Sequence, residues 1–258
     1  MKHLSIVTFN MRFPNKNDGE NYYINRVPFI KEVIEKRRPD VIAAQEITDE
    51  FRLALLRALP DYTVVGAGRM PDRRGEGVGF LFRKDTLQLS ELRTEWLSDT
   101  PGVPGSRFEK SDQSYVPRVM GVATFVPFDM ETPAFRVYNL HTDHVGKESR
   151  LLASKALLEA IRADRERDPL PFVALGDMNA LPSDPEIRIL AESEGLTDVT
   201  DKLKVTFHRF MEKGYEGVKI DYIFISDELS SEEVSVWHET KGALCLSDHH
   251  PIEARLTV

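Results

Sequence analysis

With 258 residues, 41% of them hydrophobic and 29% charged, the chain is long enough to bury one large core or two small ones. Its 34 basic against 42 acidic residues leave a net charge of −8, which disfavours a broad basic face around duplex nucleic acid but leaves room for a local phosphate channel or for acidic metal ligands. A single cysteine, Cys245, excludes an intrachain disulfide and a thiolate metal cluster, and no apolar run reaches the ~18 residues of a membrane span. Lys2-His3 runs directly into a strand-like segment with no signal-peptide pattern, so the chain as given is expected in the cytoplasm.

Residues 4–9 read as a buried strand ended by Asn10. Apolar positions at Ile24, Val27, Ile30, Val33 and Ile34 recur at helical spacing over 24–38, and Pro39 stops that helix. A second strand at 40–44 closes on Gln45-Glu46. Thr48 is placed to cap a helix through Leu59, with Glu50 in its first turn. Strands at 62–66 and 78–83 flank a loop rich in glycine and arginine, GAGRMPDRRGEG, and a further strand covers 87–96. Residues 98–116 form a long Pro/Gly/Ser loop, with strands after it at 118–126 and 135–141. An amphipathic helix at 147–167 carries Leu151, Ser154, Leu158 and Ile161 on one side. A strand at 171–175, a helix at 184–194 and strands at 218–225, 233–237 and 252–257 complete the chain. There is no internal repeat, low-complexity tract or linker. The pattern predicts a single domain over 1–258, a layered α/β arrangement of two sheets with outer helices.

Function is carried by where these strands stop. Strand one ends in Asn10, strand two in Glu46, and a later strand runs into His141 of NLHTDH. Another ends in GDMN, with Asp177 and Asn179. Asp221 opens IDYIFI, and LSDHHP, with Asp248, His249 and His250, precedes the last strand. In layered sheets such ends converge on a crevice, where ligands and catalytic groups sit. Each residue alone has a second reading: Asn10 as a turn residue, Glu46 as a helix cap, Asp177 and Asn179 as an Asx-turn, His141 as a satisfied core histidine. Asp221, between Ile220 and Tyr222-Ile223, is harder to place structurally, since a lone carboxylate in an apolar strand is costly unless paired. The set contains no Ser or Cys nucleophile with an obvious base. It is rich in oxygen ligands, which suit Mg2+ or Mn2+ better than zinc. A hard cation, a polarised water, and His or Asn donors aimed at charged oxygens are what phosphoester hydrolysis requires.

The ordered series TFN, QE, GEGVGFLFRKD, NLHTDH, GDMNALP, IDYIFIS and SDHHPIEA spans residues 4–257 and resembles the endonuclease/exonuclease/phosphatase superfamily, with its DNase I-like fold. GDMN and SDHHP with IDYIF between them are the specific combination; QE alone is a weak signal. The resemblance implies a four-layered α/β sandwich, two mixed β-sheets packed face to face with outer helices. It implies that Glu46 is the principal metal-binding carboxylate, with Asn10 beside it and Asp248 sharing an Mg2+ (or Mn2+) ion directly or through water. Asp177 would orient or deprotonate the attacking water, and Asn179 would hold the phosphate and transition-state oxygens. His249 would contact the phosphate, oriented by Asp221. His141 would be the other active-site histidine, with Glu76 of GEGVGF as its carboxylate partner. His250 matches no family role.

The loop EWLSDTPGVPGSRF, Arg118 after it, and Thr206-Phe207-His208 resemble a compact bacterial branch of the superfamily, related to its deadenylase-like side. Arg107, Arg118 and His208 are candidates to grip a substrate phosphate, and Trp96 to stack on a base or sugar; each also fits a structural role. Arg73-Arg74, close to Glu76, are a solvated loop tip or the grip on a second phosphate. The lysine-rich loop of inositol phosphate phosphatases is absent, Ala180-Leu181-Pro182-Ser183-Asp184 standing in its place, and no exposed hydrophobic hairpin of the sphingomyelinase type is present. The expected activity is phosphodiester hydrolysis of a nucleotide or single-stranded nucleic acid. The alternatives are a phosphomonoesterase on a small phosphorylated metabolite and, from another class, a catalytically silent binding module. No membrane and no protein partner is implied.

Overall fold

The computed structural model describes residues 3–257. In chain order the elements are β1 (His3–Asn10), α1 (Tyr23–Arg37), β2 (Val41–Ile47), α2 (Asp49–Ala58), β3 (Tyr62–Gly68), β4 (Gly77–Arg83), β5 (Leu87–Trp96), β6 (Val119–Pro127), β7 (Phe135–His141) and α3 (Lys147–Arg167). They continue with β8 (Phe172–Asp177), α4 (Pro185–Ala191), β9 (Thr197–Asp198), β10 (Asp221–Ile225), β11 (Ser230–Val236), β12 (Thr240–Lys241), β13 (Leu244–Cys245) and β14 (Ile252–Thr257). Two six-stranded sheets form, ordered β11-β14-β1-β2-β4-β3 and β5-β6-β7-β8-β10-β9. Each is mixed, with one parallel pair near its middle, β1 with β2 and β7 with β8.

The period-two alternation of each strand sorts its side chains into layers. Ile6, Val41, Ala43, Phe80 and Phe82 of the first sheet meet Phe125, Phe135, Val137, Val173, Leu175 and Ile223 of the second, an apolar filling between the sheets. Their neighbours point the other way. Val7, Phe9 and Ile42 pack beneath Phe29, Ile30, Val33 and Ile34 of α1 and Phe51 and Leu55 of α2. Tyr138, Leu140 and Ala174 lie under Leu157 and Ile161 of α3 and Ile187 and Leu190 of α4. The result is the four-layered sandwich of the DNase I-like fold. No helix among the described residues is long and apolar enough to cross a membrane.

Element boundaries follow the chain's punctuation. Thr48 caps α2, its side chain accepting from Phe51 N, and Arg38 closes α1 in a left-handed turn (φ 51°) just before Pro39. Differences from the sequence-based expectation are local. The helix expected over 184–194 spans only Pro185–Ala191, and the strand expected over 218–225 begins at Asp221, because Val218 pairs with Phe207 instead. The strand expected over 233–237 starts earlier, at Ser230. The two-residue strands β9, β12 and β13 are too short to show any periodicity.

One polar bridge crosses the apolar filling. Gln45 Nε2 donates to Asn139 Oδ1 (2.7 Å), while Asn139 Nδ2 donates to the carbonyls of Ala44 (3.0 Å) and Gly79 (2.9 Å). Both side chains are fully buried, so no water replaces a lost partner. Asn139→Leu is therefore expected to destabilise the protein by about 3 kcal/mol in urea unfolding, the desolvation cost of the stranded groups outweighing the added apolar contact. A loss under about 1 kcal/mol would mean the bridge is incidental.

Candidate active site

The strand ends do converge. Asn10 ends β1, Glu46 lies near the end of β2, and His141 and Asp177 end the parallel pair β7 and β8. Asp221 opens the antiparallel β10 opposite Asp177 in register, and Asp248-His249 lie just before β14. Glu46, His141, Asp177, Asn179, Asp248 and His249 line one crevice of about 410 Å³. Local backbone geometry aims them. The β2–β4 ladder is broken by a bulge between Ala44 and Ile47, where Glu46 takes φ 57°. Asn179 (φ 47°) and Arg12 (φ 54°) are also left-handed, and such conformations cost of order 1 kcal/mol each and collect at functional sites. In GDMN only glycine fits at Gly176 (φ 141°), where a Cβ would stand 2.0 Å from the Leu140 carbonyl oxygen.

Asp177 is the hub. Its Oδ2 accepts from Asn10 Nδ2 (2.9 Å) and lies 3.7 Å from His141 Nε2 and 3.8 Å from His249 Nε2; its Oδ1 accepts from Asn179 N (2.9 Å). Burial, and then the neighbouring Asp221 carboxylate, push Asp177 well above the usual carboxylate range. His249 is the counterpart. Burial alone would keep it neutral, but Asp221, Asp177 and Asp248 outweigh burial and raise it to about 10, so it carries a proton on both nitrogens at neutral pH. Nδ1 lies 2.8 Å from Asp221 Oδ2, an oxygen that also accepts from Thr206 Oγ1 (2.6 Å). Phe207 packs against the imidazole, ring centroids 4.7 Å apart. Thr206 and Phe207 thus fix the Asp221–His249 pair from the segment in which sequence reasoning singled out His208.

Glu46 belongs to a group of side chains that could hold a cation. Its Oε1 accepts from Asn10 Nδ2 (3.2 Å) and its Oε2 from Phe13 N (2.9 Å). Ligand atoms of Glu46, Glu76 and His141 lie within 4.8 Å of one another, as do those of Asp177, Asp221 and His249. Burial and the adjacent Glu46 carboxylate raise Glu76 above its usual range, a like-charge strain that a hard cation between the two would relieve. The donor set therefore fits a divalent ion with oxygen preference. Asn10 uses its amide hydrogens to tie Glu46 to Asp177 and turns its Oδ1 to Arg12 N (2.9 Å). Asp248 faces Arg12 Nη1 at 3.6 Å.

The resemblance pairs Glu76 with His141, but their nearest approach is 3.6 Å and Glu76 is taken up by Arg69, with Arg69 Nη1 to Oε1 at 2.5 Å and Nη2 to Oε2 at 2.8 Å. His141, pushed well below its usual range by burial and by Arg118, is uncharged. Arg118 lines the crevice. Three other expectations are corrected. Trp96 is 1% exposed and donates Nε1 to the Arg69 carbonyl (2.7 Å), so it braces the hairpin loop between β3 and β4 and lies outside the crevice lining. Arg107 lies outside the crevice lining and donates to the Ser114 carbonyl (2.9 Å), stiffening its own loop. His208 lies behind the crevice, its Nδ1 accepting from Met211 N and its ring 4.0 Å from that of His250. The crevice also holds Arg12, Phe13, Arg69, His144 and Phe207, which sequence reasoning missed. Their only signal was adjacency to a motif: MRF after TFN, Arg69 in the arginine-rich loop, His144 closing NLHTDH.

The sequence profile of the Endonuclease/Exonuclease/phosphatase family matches residues 7–249. This chain belongs to that family. Its members are hydrolytic phosphoesterases that generally use divalent metals. Among solved family structures, the endonuclease/exonuclease/phosphatase of Bacteroides vulgatus is 27% identical over 100% of both chains, with a TM-score of 0.91. A family protein of Bacteroides thetaiotaomicron is 25% identical over 99% of this chain and 97% of its own (TM-score 0.86). The mannosyl-6-phosphatase Bt3783 of Bacteroides thetaiotaomicron VPI-5482 is 25% identical over 99% of this chain and 100% of its own (TM-score 0.88). No curated protein matches.

Proposed function

We propose that the chain is a divalent-metal-dependent phosphoester hydrolase that removes a phosphate from a small phosphorylated molecule entering the crevice end-on. The observation that carries the reading is Asp177, a buried carboxylate of raised proton affinity set between two imidazoles. Such a group is an effective base near neutral pH, where an ordinary aspartate is too weak. Asp177 orients the attacking water and takes its proton. The imidazolium of His249, held by Asp221, and the amide of Asn179 face the oxygens on which charge develops. Mg2+ or Mn2+, held by Glu46 with Asp248 and Asn10 alongside, supplies Lewis-acid polarisation of a phosphoryl oxygen when bound.

The choice of monoester over the diester expected from sequence rests on shape and charge. A crevice of about 410 Å³ suits one small molecule, and Arg69 and Arg118 stand beside the base. The mannosyl-6-phosphatase among the similar structures supports the same class. Single-stranded nucleic acid is the second reading, favoured by Phe13 and Phe207, whose rings line the crevice and suit base stacking. A panel of p-nitrophenyl phosphate, bis-p-nitrophenyl phosphate, mannose 6-phosphate and a single-stranded oligonucleotide, each with Mg2+ or Mn2+, separates the readings. Turnover confined to the diester and the oligonucleotide reverses the order; no turnover at all leaves a binding module.

The pH profile of kcat/KM should be a bell with displaced limbs. Below its raised pKa Asp177 is protonated and cannot act as base, so the acid limb lies above the usual carboxylate range. Above about 10 His249 loses its charge and activity falls; His249→Asn should remove that limb. An acid limb near 4 would be incompatible with Asp177 as the base.

A further inference from the structure

We propose that the wall of the crevice carrying Arg69, Arg118 and His144 is a second anion subsite, which takes a second phosphate of a substrate whose scissile phosphate sits over Asp177. The inference rests on reading the crevice as a phosphoesterase site and adds the class of molecule it selects, a small metabolite carrying two phosphates.

Arg118 is nearly buried and enters from the start of β6. Its Nε donates to Asp143 (3.3 Å), its Nη1 lies 3.2 Å from His141 Nε2, and its Nη2 lies 2.7 Å from His144 Nδ1. A guanidinium has five N–H donors and no acceptor, so both imidazole nitrogens that face it are unprotonated acceptors. Two consequences follow. The histidines bring no charge of their own to the Arg118 side, and His144, exposed on the crevice, carries its proton on Nε2 as a free donor. Among the described residues three of the five Arg118 donors are engaged, and the others remain for a ligand.

Arg69 completes the wall. Its side chain is 11% exposed and grips Glu76 in a fork. Neighbouring segments hold its loop. Trp96 Nε1 binds the Arg69 carbonyl, and Gly105 of the 98–116 loop packs so closely that a Cβ there would stand 2.5 Å from Pro71 Cγ. Two guanidiniums at one end of a crevice repel each other, and each has a single carboxylate against it. The unengaged N–H groups of two rigidly held guanidiniums, beside the His144 imidazole N–H, supply several charge-assisted donors to one anion.

This wall is distinct from the place of the scissile group. His141 Nε2 lies 3.7 Å from Asp177 Oδ2 and 3.2 Å from Arg118 Nη1, so Arg118 shares that nitrogen with the base and forms the near edge of the wall. His144 lies beyond Arg118, and Arg69 lies on the Nδ1 side of the ring, behind Glu76. The scissile oxygens are already served by His249 and Asn179. A second-phosphate role was open in the sequence for Arg73-Arg74. Arg73 instead lies 5.7 Å over the Trp96 ring and Arg74 is exposed, and the residue of that loop which reaches the crevice is Arg69.

Steady-state kinetics with glucose 6-phosphate and glucose 1,6-bisphosphate, in Mg2+ or Mn2+, test the subsite. The wild-type protein is expected to favour the bisphosphate at least about tenfold in kcat/KM, chiefly through KM, as a pair of charge-assisted hydrogen bonds predicts. Arg69→Gln should bring the ratio of the two values close to one. Arg118→Lys, which keeps the charge without the fork and so disturbs the buried contact with Asp143 least, should lower it about threefold or more. Equal kcat/KM values for the two substrates in the wild type, or a preference that survives both substitutions, overturns the subsite and leaves the phosphoesterase reading standing. Hydrolysis of neither sugar phosphate by protein that turns over p-nitrophenyl phosphate overturns the subsite alone; failure on p-nitrophenyl phosphate as well overturns the monoesterase reading, and the subsite with it.

Discussion

Asp177→Asn is expected to lower kcat/KM by about 10³-fold, the middle of the range for loss of a positioned general base, without unfolding the protein. Asparagine keeps the shape and one acceptor. The metal-free stabilities of the two proteins should diverge with pH in a direction fixed by the raised pKa. Burial and Asp221 make the ionised Asp177 costly in the fold, so the wild type loses stability as pH rises through that raised value. The variant has no such proton to lose. At low pH it should be the weaker protein by about 1 kcal/mol, one buried oxygen acceptor being gone. As pH rises the gap should close and then invert. Kinetics and chemical denaturation of the same two proteins at pH 5 and pH 9 read both effects. An activity loss under about tenfold would remove Asp177 from the proton transfer, since a base gives at least 10². A gap that widens with pH would contradict the like-charge account of its environment.

Much of this architecture was legible because polar groups interrupt apolar runs. Asn10, Glu46, His141, Asp177 and Asp221 each punctuate a strand, and in the fold all five sit at the same end of the sandwich. The helices were legible through their 3.6-residue phase, and the strand over 135–141 and the helix over 147–167 have the expected bounds. What the sequence did not carry is the path of the loops. Arg69 and Arg73 are four residues apart in one arginine-rich loop, and the bond from Trp96 to the Arg69 carbonyl, with the Arg69–Glu76 ion pair, holds Arg69 at the crevice. Trp96 was read as a ligand platform because residue type cannot report that the 98–116 loop folds over it. His208 was read as a phosphate grip, yet its backbone N donates to the Asp248 carbonyl (2.8 Å), which draws its ring behind the crevice and against His250. The partner of His141 shows the same limit. The resemblance implies Glu76, whereas packing puts Arg118 against the ring and Arg69 against the carboxylate.

Arg26 shows how a residue far from the chemistry holds the site, and its substitution should have the largest effect on stability. It is wholly buried in α1, where helical phase marks it only as a charged residue one turn from Phe29 and Ile30. Burial lowers it to about 10, so it remains charged at neutral pH without a carboxylate in hydrogen-bonding contact. Its donors go to four carbonyls: Asn21 (2.7 Å), Met11 (2.7 Å), Leu246 (2.8 Å) and Arg12 (2.8 Å). Those carbonyls belong to the segment after Asn10 and to the segment before Asp248, so one guanidinium spans the two chain passages that bring Arg12 and Asp248 into the crevice. Asn21 reinforces the tie, accepting from Cys245 N (2.8 Å) and donating to the Ala243 carbonyl (3.1 Å). Arg26→Met keeps the length of the side chain and strands all four carbonyls in an apolar setting, for an expected loss of about 4 kcal/mol. Arg26→Lys should recover only part of it, because an ammonium on a flexible stem cannot reach four acceptors held by a planar fork. At temperatures where both variants are folded, kcat/KM should still fall at least about tenfold, since a displacement of Asp248 on the order of 1 Å is enough to misplace the reacting groups. Thermal melts and kinetics on the same samples separate the two effects. An Arg26→Met protein that melts like the wild type and keeps its activity would show that water replaces the guanidinium among those carbonyls, and that the two passages meet without it.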